Sequence, residues 1–557
     1  MPTITFSFTD LQKLVGKKLD LDETKEIMWK CKGEVEGYDK DTDELKVDVA
    51  DTNLPCMWSI EGVARTLKGA LGIETGLPKI EIKKSKYELT VDKSVKDVRP
   101  YISAFVAKGH KVDDYLIKQI IQLQEKLCET YGKRRQKIAI GIYRYSKIKF
   151  PVHYKATEPE SIKFTPLDFK KEMTQQETLE EHPKGKEYAW ILEGKKKYPL
   201  LLDDNGGVLS FPPIINSNDT GKVEIGDSEL MFECTGEDQE SLLLATNIFA
   251  QAFFDRGFEI YSVKIKYPEK KDEIETPLIE EEEIKLDLKK IKDIIGIDIK
   301  EEKVKELLGM ARYGYSKGIV KIPCYRKDVM HQVDVIEDIA IMHGYDNIET
   351  QPITCFTIGE QLPIIKTIDR CREIMVGLEY QEIFSPILTN KKTLFENMNT
   401  PEFNIVEIEK PMSDTYSVLR NWLIPILLEA LSKNKHVEYP HKIFEQGLVV
   451  VNKKDGIKDY ERIAAVSANH TADFTEAKQS VDLIMRMLGK EKEYHIEEVE
   501  HDSFIPGRVG RIVVGNTKVG YVGEIAPQVL TNLGIEMPVS GFEINLTEMT
   551  EKTRANQ

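Results

Sequence analysis

Apolar residues at Leu116, Ile120, Leu123 and Leu127 recur at i, i+4, i+7 and i+11, one stripe of a helix that Asp113 caps and that ends near Gly132. The same period predicts a helix over Glu240–Arg256 and another over 333–343, where Val335, Ile339 and Met342 share a face. Between the first two, the pattern shortens. KIAIGIYRYSKI, beginning at Lys137, reads as a buried strand interrupted by Gly141, and β-rich runs continue to about residue 266. Residues 1–90 mix short strands with two helices. LKKIKDIIGIDI and KEEKVKELLGMARYG, which together span 288–314, form two short amphipathic helices. Beyond them come a long helix over 364–376, several strands and the helix NWLIPILLEALSKNK.

These elements imply several domains of α+β class, since 557 residues exceed what one core can cover. Residues 267–284, YPEKKDEIETPLIEEEEI, are charged and poor in apolar side chains, the composition of a linker. The expected division is 1–95, 96–266, 267–352 and 353–557. Within it, LKVDVADTNLPCMWSIEGVARTLKG (45–69) and VKIPCYRKDVMHQVDVIEDIAIMHG (320–344) share a strand–turn–helix layout. Asp51 and Glu61 stand ten apart in one, as do Asp328 and Asp338 in the other, which suggests an internal repeat.

Composition narrows the chemistry. Hydrophobic content of 41% with 31% charged residues is that of a soluble globular protein, and no apolar run approaches the roughly 20 residues of a membrane span. The opening MPTITFSFTDLQKL lacks a basic region followed by an apolar one, so a cytoplasmic location without a secretory signal is expected. Seven cysteines without a C-x-x-C pair read as reduced thiols. A net charge of −16 argues against a surface that grips nucleic acid everywhere, yet GKRRQK (132–137) and EGKKK (193–197) are basic islands where an RNA backbone can dock. No phosphate-binding G-x-x-x-x-G-K-[ST] or G-x-G-x-x-G loop follows a strand.

Asp334, Glu337 and Asp338 project from one face of the expected 333–343 helix, and Asp328 sits on the turn before it. Four oxygen ligands without Cys or a His pair suit a hard ion such as Mg²⁺; the plainer reading is an acidic first turn complementing the helix dipole. Spacing alone leaves both open. The wording of the segment, YR-x-D-V-x-H-x-VD-V-x-EDIAI-x-x-GYDNI from Tyr325 to Ile348, resembles the central signature of the β subunit family of archaeal and eukaryotic cytosolic phenylalanyl-tRNA synthetases. The resemblance runs almost to residue 550.

It has two further parts. YPLLLDDNGGVLSFPPIINS (198–217) and LMFECTGED (230–238) are, physically, a hairpin with an Asp-Asn-Gly-Gly turn and a strand that puts Glu233 and Thr235 on one face. They resemble the family's editing domain, which implies a pocket formed by Leu201, Ser210, Glu233 and Thr235, with Asn216 from the PPIINS motif, that hydrolyses tyrosine mischarged on tRNA(Phe). A pocket shaped for phenylalanine rejects tyrosine only weakly, so a second site that bonds the phenol has a physical reason to exist. The chain departs from the family at Glu233, where many members carry Asp, and at Tyr143-Arg144-Tyr145-Ser146, where HDLD or YDLD is usual.

PMSDTYSVLRNWLIPILLEALSKNK (411–435), HKIFEQG (441–447) and FSPILTN around Pro386 resemble a class II synthetase module with an antiparallel sheet. Its phosphate-clamping arginines are missing: Phe444-Glu445-Gln446 has no preceding Arg, and no G-x-G-x-G-x-R occurs. The resemblance implies a catalytically silent module, a small helix-turn-helix-like domain before it that binds Mg²⁺, and an α subunit that holds ATP and L-phenylalanine in an (αβ)₂ assembly acting on tRNA(Phe). A stand-alone editing hydrolase, an assembly scaffold without editing and a metal nuclease built on the four acids are the alternatives.

Overall fold

The computed structural model describes residues 3–49, 51, 53–268 and 273–554, in two compact units, Met1–Pro352 and Ile353–Gln557. The first unit begins with an antiparallel sheet in the order Thr3–Ser7, Glu44–Val49, Gly33–Asp39. Helices Phe8–Val15, Leu21–Met28 and Ile60–Ala70 accompany it, capped by the side chains of Ser7, Asp20 and Ser59. The Glu44–Val49 strand and Ile60–Ala70 helix of the first repeat match Ile319–Ile322 and Gln332–His343 of the second, so the shared layout is real.

The main feature of this unit is a ten-stranded mixed sheet. Its order runs Ile215–Asn216, Val208–Phe211, Tyr198–Leu202, Val152–Thr157, Ile82–Val91, Glu259–Lys266, Tyr101–Lys108, Glu229–Gly236, Ile138–Arg144, with Glu273–Thr276 added beside Glu259–Lys266. Helices Asp114–Lys126 and Gln239–Asp255 pack against one face through a core that includes Phe105, Phe232, Phe249 and Phe253. The other face holds a separate core with Leu89, Tyr143, Tyr154, Leu201, Met231 and Val263. The sheet curls until its ends meet. Asn216 Nδ2, on one terminal strand, donates to the Ile142 carbonyl on the other at 3.3 Å.

Two expectations change here. Strand Ile82–Val91 pairs in parallel with Glu259–Lys266 and Val152–Thr157, so the boundary expected at residue 95 does not separate the sheets. The expected linker 267–284 contains strands Glu273–Thr276 and Glu282–Lys285; its residues 269–272 lie outside the described residues. Thr276 shows why a charged segment stays ordered: its buried hydroxyl bridges the N–H and carbonyl of Ala104 at 3.1 and 2.7 Å. Glu282–Lys285 opens a small sheet, ordered Glu282–Lys285, Ile319–Ile322, Gly314–Ser316. Helices Leu288–Ile295, Glu301–Met310 and Gln332–His343 cover it through Ile291, Leu307, Val335 and Ile339.

The second unit is built on a seven-stranded sheet, Gln381–Glu382, His441–Lys453, Gly456–Ala468, Val539–Asn545, Thr517–Ile525, Phe504–Val514, Tyr494–Glu498. Every pairing is antiparallel except the first. Helices Pro363–Gly377 and Phe474–Met487 contribute to a core with Phe444, Ile463 and Phe542, while Ile424–Lys433 contributes to another with Val449, Ala464 and Val466. Successive residues of each strand thus feed two cores. Among the described residues no helix is long and apolar enough to cross a membrane.

Candidate functional site

Where the ends of the curled sheet meet, a cavity of about 450 Å³ opens. Ile140 and Ile142 line it from one terminal strand, Ser210, Pro212 and Asn216 from the other end of the strand order, Ile120 and Gln124 from the adjoining helix, and Glu233 from strand Glu229–Gly236. The lining is mostly apolar with a few convergent polar groups, the usual character of a small-ligand site.

Glu233 is the group that demands an explanation. Its side chain is buried, and the Tyr143 hydroxyl lies 2.8 Å from its Oε1 and 2.8 Å from Ser210 Oγ. With one proton to give, the phenol donates to the carboxylate and accepts from the serine. Among the described residues Oε2 has no hydrogen-bond partner. Burial pushes the carboxyl up to about 7, against the opposing pull of the Tyr143 hydrogen bond and the Arg99 charge. The same burial, with Glu233 beside it, holds the Tyr143 phenol well above its ordinary range. Gly141 makes the pair possible: a Cβ there would stand 2.2 Å from Tyr143 Oη and 2.7 Å from Glu233 Oε1. The glycine that interrupts the strand pattern is therefore required by close approach.

The other expected pocket residues divide. Ser210 and Asn216 face the cavity with Glu233, whereas Leu201 and Thr235 are not among its lining residues. Leu201 sits in the apolar core of the curled sheet, paired in register with Ser210. Thr235 shares the Glu233 face, but its Oγ1 accepts from Arg99 Nε at 3.0 Å, and Arg99 also donates to the carbonyls of Thr235 and Gln136 at 2.6 and 2.9 Å. Thr235 is thus tied to a buried guanidinium and lies off the cavity lining. Arg99 had no signal in the sequence. Tyr143 had one, as a departure from the family's usual strand, and it proves to be a member of the network.

The four acids of the second repeat are not gathered round one point. Asp328 receives Arg326 in a two-pronged pair, Nε–Oδ1 2.7 Å and Nη2–Oδ2 2.5 Å. Asp338, nearly buried, accepts from Tyr313 Oη at 2.6 Å and Arg326 Nη2 at 3.0 Å. Asp334 caps the helix start, its Oδ2 accepting from the N–H groups of Met330 and His331 at 2.8 Å each. Glu337 pairs with Lys32 at 3.2 Å. Among the described residues no group of three or more His, Cys, Asp or Glu could hold a metal ion, so this arrangement does not fit Mg²⁺. The cation at its centre is Lys32 Nζ, which also stands 3.5 Å from Asp51 and 3.8 Å from Asp338. Burial lowers the affinity of that ammonium for its proton, and Asp338, Glu337 and Asp51 more than offset it.

In the second unit, Glu445 is fully buried and its Oε1 meets Arg420 Nη1 at 2.6 Å, while Ser385 Oγ donates to Oε2 at 2.6 Å. Both oxygens are satisfied, and the residue contributes to no cavity described above.

Residues 284–345 match the tRNA synthetase B5 domain family, and residues 348–546 match the phenylalanyl tRNA synthetase beta chain CLM domain family. The chain is 42% identical to the phenylalanine–tRNA ligase beta subunit of Pyrococcus horikoshii over 98% of this chain and 99% of that protein. It is 39% identical to the beta subunit of Archaeoglobus fulgidus, with 98% of each chain covered. A crystal structure of an N-terminal fragment of the Pyrococcus horikoshii beta subunit is 41% identical, with a TM-score of 0.60, and spans 62% of this chain and all of the fragment. The chain belongs to the phenylalanine–tRNA ligase beta subunit family, and so is a subunit of an aminoacyl-tRNA synthetase that serves translation.

Proposed function

We propose that the first unit is a hydrolase for mischarged tRNA and that the second unit joins this chain to a catalytic α subunit. The observation that carries the hydrolase reading is Glu233 Oε2, a buried oxygen without a partner on the wall of the cavity. A para-hydroxyl on an aromatic ring satisfies it; phenylalanine leaves it bare. An unsatisfied buried polar group costs about 1 to 3 kcal/mol, which separates the two amino acids by roughly 5-fold to 150-fold. The substrate is then tyrosyl-tRNA(Phe), held by its amino acid in the cavity, with the ester exposed to water near Ser210. Tyr143 is a positioning residue in this scheme, since its phenol occupies Oε1 and turns the remaining oxygen to the ligand.

The partner reading is supported by the second unit. Glu445 has no arginine before it and is committed to Arg420, so the phosphate clamp of an active class II site is missing. ATP and L-phenylalanine would be held by the α subunit, in an (αβ)₂ assembly that attaches phenylalanine to tRNA(Phe) in the cytoplasm. Exposed Phe356, Phe384 and Met412 give that unit apolar surface to bury against a partner.

The test is Glu233→Ala in the enzyme reconstituted with its α subunit. Phenylalanine charging is expected to continue while tyrosyl-tRNA(Phe) accumulates. If the wild-type assembly does not deacylate tyrosyl-tRNA(Phe), the hydrolase reading gives way to an assembly scaffold.

A further inference from the structure

A second cavity, of about 180 Å³, lies among helices Phe8–Val15, Ile60–Ala70 and Gln239–Asp255 and the turn that follows Glu301–Met310. It shares no lining residue with the cavity of the curled sheet. Its wall carries the cations Arg65, Lys68, Lys79 and Arg312, one more than its carboxylates Glu61, Glu74 and Asp255, although the chain as a whole has a net charge of −16.

The carboxylates are already committed. Asp255 accepts from Arg65 Nε at 2.8 Å on one oxygen and from Gln251 Nε2 at 2.9 Å on the other. Glu61 Oε1 accepts from Arg256 Nε at 2.6 Å. Glu74 Oε1 accepts from Arg312 Nη2 at 2.6 Å, and its Oε2 stands 3.6 Å from Lys68 Nζ. The donors are not used up in the same way. Arg312 is 3% exposed, and among the described residues its Nε has no hydrogen-bond partner. Lys79, exposed at the rim, has no ion pair or hydrogen bond among the described residues either. Arg312 is held in place at a cost, since its φ of 68° lies in the left-handed region. The glycine that closes the first repeat makes room for it: a Cβ on Gly69 would stand 2.1 Å from the Met310 carbonyl oxygen and 2.8 Å from Arg312 Cδ.

We propose that this cavity binds a compact oxyanion of the phosphate class, which accepts from Arg312 Nε inside and from Lys68 and Lys79 at the rim. Every group on the wall that is still unspent is a donor, and a buried donor left bare costs free energy that an arriving acceptor returns. The volume lies well below the roughly 300 to 1,000 Å³ of sites for larger organic ligands, which suits a single tetrahedral group. Guanidinium is the side-chain group that best matches phosphate oxygens. Glu74 is then an internal competitor. Its half-exposed carboxylate holds the same Arg312 and Lys68 that the anion would use, so the anion binds at its expense. Neither the hydrolase reading nor the α-subunit reading enters this assignment.

Inorganic phosphate is the probe, added to the full chain at fixed ionic strength in a buffer without other oxyanions and followed by equilibrium dialysis and by the thermal unfolding midpoint. Binding is expected to saturate at one phosphate per chain, with a midpoint that rises with the logarithm of phosphate concentration. Lys79→Ala, at an exposed position where folding is not at stake, is expected to weaken binding roughly 10-fold, the lower end of what a hydrogen bond to a charged group contributes. Glu74→Gln removes the competing charge and is expected to tighten binding, a gain that loss of a merely structural contact would not give. Lys40→Ala, an exposed lysine outside the cavity wall, leaves affinity unchanged. Glycerol phosphate, which carries the same group on a larger body, is expected to bind more weakly; equal or tighter binding would overturn the compact anion in favour of a phosphate monoester. Absence of saturable binding, a midpoint that moves no more with phosphate than with chloride, or unchanged affinity in Lys79→Ala or in Glu74→Gln would each overturn the site.

Discussion

Glu233 and Glu445 are both carboxylates on β-strands, both buried, and they are treated in opposite ways. Glu445 has an arginine on one oxygen and a serine hydroxyl on the other. Glu233 has a phenol on one oxygen and nothing on the other, with a cavity alongside. A fold that needs a buried acid only for structure compensates it completely, because an uncompensated charge costs several kcal/mol. On the proposed reading the open oxygen of Glu233 is met by a ligand, whereas Glu445 is engaged entirely within the fold.

The sharpest way to break that contrast is to uncompensate Glu445. Arg420→Met leaves the carboxylate buried without its cation, and the second unit should lose about 3 to 5 kcal/mol, read from its denaturant midpoint. Arg420→Met with Glu445→Leu should recover most of the loss. A single variant as stable as the parent would mean that the pair is not what satisfies Glu445.

Glu233 offers the converse experiment. Its carboxyl is held up at about 7, above the ordinary 4.5, so the folded state binds this proton more tightly than the unfolded state does. The contribution is fully present below pH 4.5 and is lost as pH rises through 7, a difference of about 3 kcal/mol. Glu233→Gln should therefore match the parent near pH 4 and exceed it in stability at pH 8. Discrimination between tyrosyl and phenylalanyl esters should rise over the same window, since an unpaired anion is costlier than an unpaired acid. A stability difference independent of pH would place Glu233 with Glu445 as a structural residue.

Tyr143 sharpens the comparison at smaller scale. Tyr143→Phe keeps the ring and removes the hydrogen bond that lowers the Glu233 carboxyl, so the midpoint of the hydrolysis pH profile should move upward. The stability cost is about 1 to 3 kcal/mol for a second unsatisfied oxygen. An unmoved midpoint would show that the phenol does not set the carboxyl.

The helices were legible because their signal is local. Leu116, Leu123 and Leu127 are buried along the predicted stripe, Asp113 accepts from the Leu116 N–H at 2.7 Å, and helix Gln332–His343 lies where Val335 and Ile339 placed it. Ser210, Asn216 and Glu233 were named through resemblance, and all three line the one cavity. What could not be read was anything made by closure of the sheet. No period in the sequence brings Tyr143 to Ser210, and the repulsive composition of 273–285 hides a segment whose order depends on Thr276 bonding to Ala104 far away. Spacing also describes one element at a time. It grouped Asp328, Asp334, Glu337 and Asp338 along the chain, and it had no means of anticipating Arg326 folding back on two of them or Lys32 arriving from the N-terminal segment ahead of the first repeat.

That last cluster supplies the smallest effect. Glu337 is half exposed and pairs with Lys32 in contact with solvent, so Glu337→Ala should change stability by less than about 1 kcal/mol. Asp338, buried and bonded to Tyr313 and Arg326, should cost more when removed, which makes the four acids unequal where a metal cage would make them equal. Magnesium decides between the two arrangements, because an ion that binds only the folded state raises the unfolding midpoint in proportion to the logarithm of its concentration. With Lys32 and Arg326 holding the carboxylates, the midpoint should not move between micromolar and millimolar Mg²⁺ once matched for ionic strength. A rise seen in the parent and absent in Glu337→Ala would mean that the ion displaces Lys32 and that this cluster, unlike Glu445, takes its partner from solution.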